Sequence, residues 1–363
     1  MAVGLPLKTT YANGDVYSAS DVNDTNGTIN LLQTSTLSRQ AGKNAVINGA
    51  MEVAQYGTST ALASNAKGYS PDRWKAAAFG SACVVSRQAT SDTTNLPTIQ
   101  YCVRMQRNSG QTGTNIIYVA QSLESINSIP FAGQAVTFSF YARRGANYSP
   151  TSNVLGAFLY SGTGTDQNWI DVAYTGQATV ASGNATLTTT WQRFTYTGTV
   201  SASATELAVV FGATPTGTAG AADYFEVTGV QVELGSYATT FSRAGGTIQG
   251  ELAACQRYYW RSTGGSAYGP YGMGYGMTTT TAYFAVQLPV TMRTNPSTLD
   301  YSTLAVGLYG VSSLSITALA LSQTNPLSIG LSATVAAGLT ANRPYQIENA
   351  NSASAYLGVS AEL

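Results

Sequence analysis

From residue 44 to residue 243 the chain alternates apolar and polar positions with a period of two. Val136, Phe138 and Phe140 interleave with Thr137, Ser139 and Tyr141, and Tyr101, Val103 and Met105 interleave with Cys102, Arg104 and Gln106. That period puts one set of side chains on a single face of a strand. Phe225 and Val227, then Val230, Val232 and Leu234, keep the rhythm on either side of Gly229, where the phase slips by one residue as it does at a β-bulge. Further strands are predicted over 116–119, 155–160, 191–199 and 207–213, punctuated by Gly, Ser, Thr and Asn. So many short strands predict a mainly β fold, a jelly-roll β-sandwich occupying 41–245.

The flanks read differently. Residues 1–40 are polar until Ser20, whose hydroxyl can cap a short N-terminal helix beginning near Asp21, with Val22, Ile29 and Leu32 along one side. That helix is too brief to hold a coiled coil alone; it either lies on its own domain or packs about an axis with other copies. Residues 246–262 predict a short connector helix with Leu252, Cys255, Gln256 and Tyr259 on one side and Glu251 opposite. The Gly/Tyr stretch 264–277 reads as a linker, a subunit contact or an outward loop of tyrosines, since glycine at this density opposes regular structure. Strand patterns resume over 278–288, 303–309, 314–321, 327–335 and 355–363. They predict a smaller C-terminal β-sandwich within 263–363, of a size that buries little of its own surface and would gain from burial against copies.

Composition sharpens this picture. Only 9% of the 363 residues are charged, and there are 37 glycines, 23 tyrosines and no histidine, against roughly 25% charged residues in an average soluble domain. Such a surface is expected to meet neighbours. Net charge is zero and no Lys/Arg run occurs, so nucleic acid is not an expected partner. No apolar run approaches the ~18–20 residues of a membrane span, and residues 1–10 lack the apolar centre of a signal peptide. A soluble chain made in the cytoplasm, without membrane insertion, is the expectation. Cys83, Cys102 and Cys255, odd in number and widely spaced, argue against a disulfide framework or a zinc site and read as small buried hydrophobes.

Catalysis finds little support. Histidine, the commonest general acid or base at neutral pH, is absent, and no phosphate-binding loop, nucleophile elbow or HExxH motif occurs. Asp166 with Asp171, or Glu124 with a distant partner, could in principle flank a glycosidic bond, but nothing in the sequence brings them together. The expectation is a non-enzymatic protein with no cofactor and no metal.

Sugar recognition needs an aromatic face for the apolar side of a pyranose and polar groups for its hydroxyls. Asp166, Asn168, Trp169 and Asp171 supply both within one short loop and strand start; alternatively Trp169 simply caps the core. The Arg143-Arg144-Gly-Ala-Asn147-Tyr148 tip offers a second cationic and aromatic patch, or a solvated turn. In Asp72-Arg73-Trp74, a carboxylate, a guanidinium and an indole can pair, stack and plug one end of the sandwich. Glu226 and Glu233 read as the solvent face of their strand, or as neighbours of a structural calcium.

Several of these motifs carry a resemblance. Asn44-Ala-Val-Ile-Asn48-Gly49-Ala-Met51, then Gln55, Gly57-Thr58 and Tyr69-x-x-Asp72-Arg73-Trp74, is similar to the opening of a jelly-roll module of bacteriophage tail fibres. Gly229-Val-Gln231-Val-Glu233-Leu-Gly235 with Phe241-x-Arg243 resembles the last strand of that module and of related carbohydrate-binding modules. Gly250-Glu251-Leu-Ala-Ala-Cys255-Gln256-Arg257-Tyr258-Tyr259 resembles the connector that follows, Gly14-Asp15-Val16-Tyr17-Ser18 resembles fibre N-termini, and 286–296 and 357–363 resemble strands of fibre tips. The resemblance implies a virion appendage, assembled in the host cytoplasm as a homotrimer. Residues 1–40 would join other virion proteins, and the β modules would meet host-surface polysaccharide. A head, collar or baseplate decoration without receptor activity is the alternative.

Overall fold

The computed structural model describes residues 42–308 and 312–363; the expected N-terminal helix lies outside them. The protein is mainly β. Two six-stranded antiparallel sheets stack to form the larger lobe. The first runs, in spatial order, β1 (Ser59–Leu62), β4 (Cys83–Ala89), β5 (Tyr101–Arg107), β12 (Tyr224–Leu234), β7 (Ala135–Arg144) and β10 (Gln192–Thr199). The second runs β2 (Ala66–Tyr69), β3 (Lys75–Ala78), β6 (Ile117–Leu123), β11 (Glu206–Ala213), β8 (Val154–Gly162) and β9 (Ala178–Thr186). The chain passes back and forth between the sheets, as in a jelly roll.

Between the sheets lies an aromatic core of Trp74, Phe138, Phe140, Phe211 and Phe225, all fully buried. Phe211 meets Phe140 edge-on at 4.8 Å between centroids and Phe138 at 5.8 Å. Each such ring contributes on the order of 2–3 kcal/mol by leaving water. The phase slip at Gly229 is a bulge: the register of β12 on β7 shifts between Thr228 and Gln231, and Gly229 has φ +56°.

The opening and closing motifs are stitched together at that bulge. Asn44 donates from Nδ2 to the carbonyls of Val230 (2.9 Å) and Ser242 (3.0 Å), and its Oδ1 accepts from Val232 N (3.1 Å). The 44–49 segment therefore runs alongside β12, with Ala45 N bonded to Val232 O and Val230 N to Gly49 O, both at 2.9 Å. Glu226 and Glu233, expected toward solvent, are buried. Arg104 and Arg143 hold Glu226, while Lys43, Gln231 and Thr239 hold Glu233. Alternation marks two faces; it does not say that one of them is wet.

The connector helix α2 (Ile248–Gln256) follows α1 (Ser125–Ser128) in the chain and begins with a Thr247 cap, whose hydroxyl accepts from Gly250 N at 3.1 Å. It is rotated relative to expectation: Glu251 is buried and Leu252 partly exposed. The Glu251 carboxylate accepts the backbone N–H groups of Asn48 and Gly245, which outweighs the burial of one leucine. Burial pushes its carboxyl above the usual range, opposed by those two donors.

The C-terminal lobe has a three-stranded sheet, β13 (Tyr259–Thr263), β21 (Tyr356–Ser360) and β16 (Thr298–Ser302), and a closed six-stranded barrel. The barrel runs β14 (Pro270–Gly276), β15 (Thr281–Gln287), β19 (Ser328–Val335), β18 (Ser312–Asn325), β17 (Leu304–Leu308) and β20 (Pro344–Asn349), with β20 pairing back onto β14. Sheet and barrel share one core that includes Trp260, Phe284, Leu331, Ile347 and Val359. Closure removes the barrel's unpaired edges.

One expectation fails here. The Gly/Tyr stretch is not a linker or loop: its second half is the barrel strand β14. Gly272 and Gly274 lie so close to neighbouring carbonyls that a Cβ would collide with Ala285 and Tyr283 respectively. Glycine density serves close packing at this position.

Candidate functional site

The four loop residues picked out for sugar recognition fall into two groups. Asp166 and Asn168 face the C-terminal lobe. Asp166 Oδ1 accepts from Ser125 N (2.8 Å) and Oδ2 from Arg293 Nη1 (3.1 Å); Asn168 is buried and its Nδ2 donates to Tyr69 Oη and Leu363 O, both at 3.2 Å. Their polar atoms are committed to structure. Trp169 and Asp171 instead lie on the outer face of the second sheet.

That face carries a terrace of half-buried rings. On β8, Leu155, Ala157 and Leu159 point into the core, so Phe158 and Tyr160 point outward. Tyr118 takes the same outward phase on β6. Phe158 stacks with Tyr160 (5.2 Å, 7° between planes), and Tyr160 stacks with Trp169 (5.5 Å, 12°). Tyr118 meets Trp169 edge-on at 5.3 Å, and Phe79 meets Tyr118 edge-on at 6.2 Å. Ala77, Ala120, Ala208 and Val210 form an apolar bed beneath them.

Two further features fix the terrace. Trp169 is held at both ends, its backbone N–H donating to Ser122 Oγ (2.9 Å) and its Nε1 to Gln177 Oε1 (2.8 Å). Gly156 and Gly212, paired across β8 and β11, let the rings lie flat: a Cβ on Gly156 would come within 2.8 Å of Phe158, and one on Gly212 within 2.9 Å of Tyr118. Beside Phe158 these glycines floor a groove of about 330 Å³, rimmed by Thr151, Asn184, Thr214 and Thr216.

Electrostatically the terrace is close to neutral. Burial raises the Tyr118 and Tyr160 phenols, so both remain neutral donors. Asp171 bridges Lys67 (3.1 Å) and Lys75. Burial pushes its carboxyl up, but the two ammonium groups outweigh that and hold it below the usual range. Phe79, Tyr118, Phe158 and Tyr160 were not among the expected site residues, yet β8 shows a signal: Leu155, Ala157 and Leu159 on one phase and Phe158 and Tyr160 on the other leave neither face of the strand polar.

The other expected positions are structural. Asp72 is bound by Gln55, whose N and Nε2 donate to it at 2.5 and 2.6 Å; it does not hold Arg73 as anticipated. Arg73 pairs with Glu362, stacks 3.5 Å over the Tyr258 ring and donates to Ser122 O at 2.7 Å. Trp74 is buried and donates from Nε1 to Asn48 O (3.0 Å). The Arg143–Tyr148 patch does not form either: Arg143 is drawn to Glu226 and lies over Trp191, and buried Tyr148 donates to Val154 O at 3.0 Å.

No family model matches the chain, and no curated protein matches it. Among solved structures it is similar to a Stig cyclase, Fisc, from Fischerella sp. TAU (9% identity, TM-score 0.36, covering 55% of this chain and 100% of that one). It is also similar to the CBM22-1 xylan-binding domain of Xyn10C from Paenibacillus barcinonensis (14%, TM-score 0.32, 55% and 99%). A third is described as CBM4 structure and function (16%, TM-score 0.30, 52% and 98%). TM-scores this low carry no argument about this chain, and the bacteriophage resemblance read from its motifs has no counterpart among these matches.

Proposed function

We propose that this protein is a non-enzymatic carbohydrate-binding protein that takes up a glycan on the outer face of the second sheet. The observation that carries the reading is the parallel, stacked run Phe158–Tyr160–Trp169. Stacked rings cover one another's inner faces, so a sugar meets the outward edges and the free end of the stack; these half-buried rings are already fixed, and preorganisation spares the cost of ordering side chains on binding. The threonines and Asn184 around the adjoining groove supply hydroxyl and amide partners for sugar hydroxyls. Asp171, neutralised by Lys67 and Lys75, and the phenol of Tyr160 extend that polar rim.

The motif resemblance supports a more specific assignment. The protein is a bacteriophage appendage, a homotrimer in the virion, mounted on other virion proteins through residues 1–40 and binding host-surface polysaccharide. Purified protein on a glycan array, together with competition for phage adsorption to host cells, tests both levels. Array binding that is weakened by Trp169→Ala, with blocked adsorption, supports the assignment. Array binding without blocked adsorption leaves the carbohydrate reading and removes the receptor role. A silent array, or binding indifferent to Trp169→Ala, removes the terrace as a sugar site.

A further inference from the structure

The barrel has a second feature of this kind on a separate surface. Across β14, β15 and β19, Met273 pairs with Ala285 and Ala285 with Gly330, so a row of outward positions shrinks from a long side chain to almost nothing. The row becomes the floor of a groove of about 780 Å³. One wall is aromatic: Tyr275 and Tyr283, opposite each other in register, have centroids 6.5 Å apart. The other wall is polar, built by the break in register of β18 between Leu321 and Thr324, which carries exposed Ser322 and Gln323 over Gly330. A side chain at position 330 would strike the backbone of Gln323, so the narrow floor and the overhanging wall depend on each other.

Among the described residues, the lining contains no Asp, Glu, Lys or Arg. Met273 and Tyr275 nevertheless stand 62% and 47% exposed beside it, a considerable open apolar surface for a barrel wall. A groove with ring faces on one side, amide and hydroxyl groups on the other and no charge matches an uncharged ligand with both apolar faces and many hydroxyls. Charged polysaccharides and nucleic acids would be desolvated there without a counter-charge. We infer that this groove is a second glycan site, selective for neutral oligosaccharides, with Tyr275 and Tyr283 as the stacking platform and Gln323 and Ser322 as hydrogen-bonding partners. It is independent of the terrace; two sites on one chain raise avidity for a repeating polymer through effective concentration.

The groove offers its own probe. The native cysteines are all buried, so Ala285→Cys, at an exposed floor position, introduces a single accessible thiol in the full chain. Its alkylation by a maleimide is followed with and without neutral hexasaccharides of β-1,4-glucose, β-1,4-xylose, α-1,4-glucose and β-1,4-N-acetylglucosamine, and with polygalacturonate as the charged control. At ten times Kd a ligand seated over the thiol slows labelling about tenfold. Protection by at least one neutral sugar, unchanged when Trp169→Ala is added and lost with Tyr275→Ala, supports the proposal. Rapid labelling under every condition overturns it while leaving the terrace reading untouched. A thiol that stays unlabelled without sugar, but labels once the protein is diluted to monomer, also overturns it, because a second copy then covers the groove. Protection by polygalacturonate alone overturns the neutral selectivity on which it rests.

Discussion

Arg73 and Glu362 form a buried ion pair although they stand 289 positions apart. The pair joins the start of the sandwich to the end of the barrel lobe, within a seam that also holds Arg257 on Glu124 (2.9 Å) and Tyr56 stacked 3.6 Å from Tyr259. Truncating one partner strands the other charge away from water. Arg73→Ala is expected to cost on the order of 3–5 kcal/mol, read as a lower urea midpoint and new proteolytic cleavage near residue 257. The double change Arg73→Met with Glu362→Leu is expected to recover most of that loss, since neither charge is left behind.

Stability is expected to rise on mild acidification. Burial raises the Asp72 carboxyl to about 6 despite donors from Gln55 and Tyr56, and burial likewise raises Glu251 and Glu206, neither of which holds a buried cation. A carboxyl whose folded pKa exceeds its unfolded value favours the folded state most when protonated, and that advantage disappears as pH climbs from about 4 through about 6. For Asp72 the full effect is on the order of 3 kcal/mol, of which roughly half falls between pH 5 and pH 7. Thermal melts at pH 5 and pH 7 check it: a higher Tm at pH 5, with a smaller difference in Asp72→Asn, is expected.

Gly274→Ala tests the reading of β14. The added Cβ would collide with the Tyr283 carbonyl, a backbone atom that cannot swing aside, so a loss of about 1–3 kcal/mol from overpacking is expected. Thermal unfolding measures it. Tyr275→Ala, on the outward phase of the same strand, is expected to leave Tm nearly unchanged.

These comparisons show what the sequence discloses and what it hides. Strands with one apolar phase, such as β7 and β5, and the bulge at Gly229 follow from periodicity, because burial of one face is a local property. Trp169 stood out for its chemistry, but Phe158 and Tyr160 were missed because aromatic residues on the outer phase look like ordinary strand sequence. Asp166, Asn168 and Arg73 have polar character that any site could use; only the distant residues Arg293, Leu363 and Glu362 reveal that they hold the seam. Glu251 misled for the same reason: its partners, Asn48 and Gly245, lie outside the helix it belongs to. In 270–276 the alternation of Tyr and Met with Gly was present, yet glycine's backbone freedom masked a strand.

The thiols supply a check on the core. Cys83, Cys102 and Cys255 are buried and unpaired, and burial raises all three, Cys83 to about 12. Native protein is expected to resist Ellman's reagent at pH 8 and to titrate three thiols after guanidinium unfolding. Prompt reaction of any of them in the native state would show that its surroundings open readily.

The ring terrace is tested most directly by isothermal titration of the wild type, Trp169→Ala and Tyr160→Ala against a neutral polysaccharide that the glycan array identifies, with Tm recorded for each. The account predicts that each substitution weakens the terrace site about tenfold, equivalent to roughly 1.4 kcal/mol, while the protein stays folded and Tm falls by only a few degrees, as for the loss of about 1 kcal/mol of packing by a half-buried ring. Wild-type affinity and stoichiometry in both variants would contradict it.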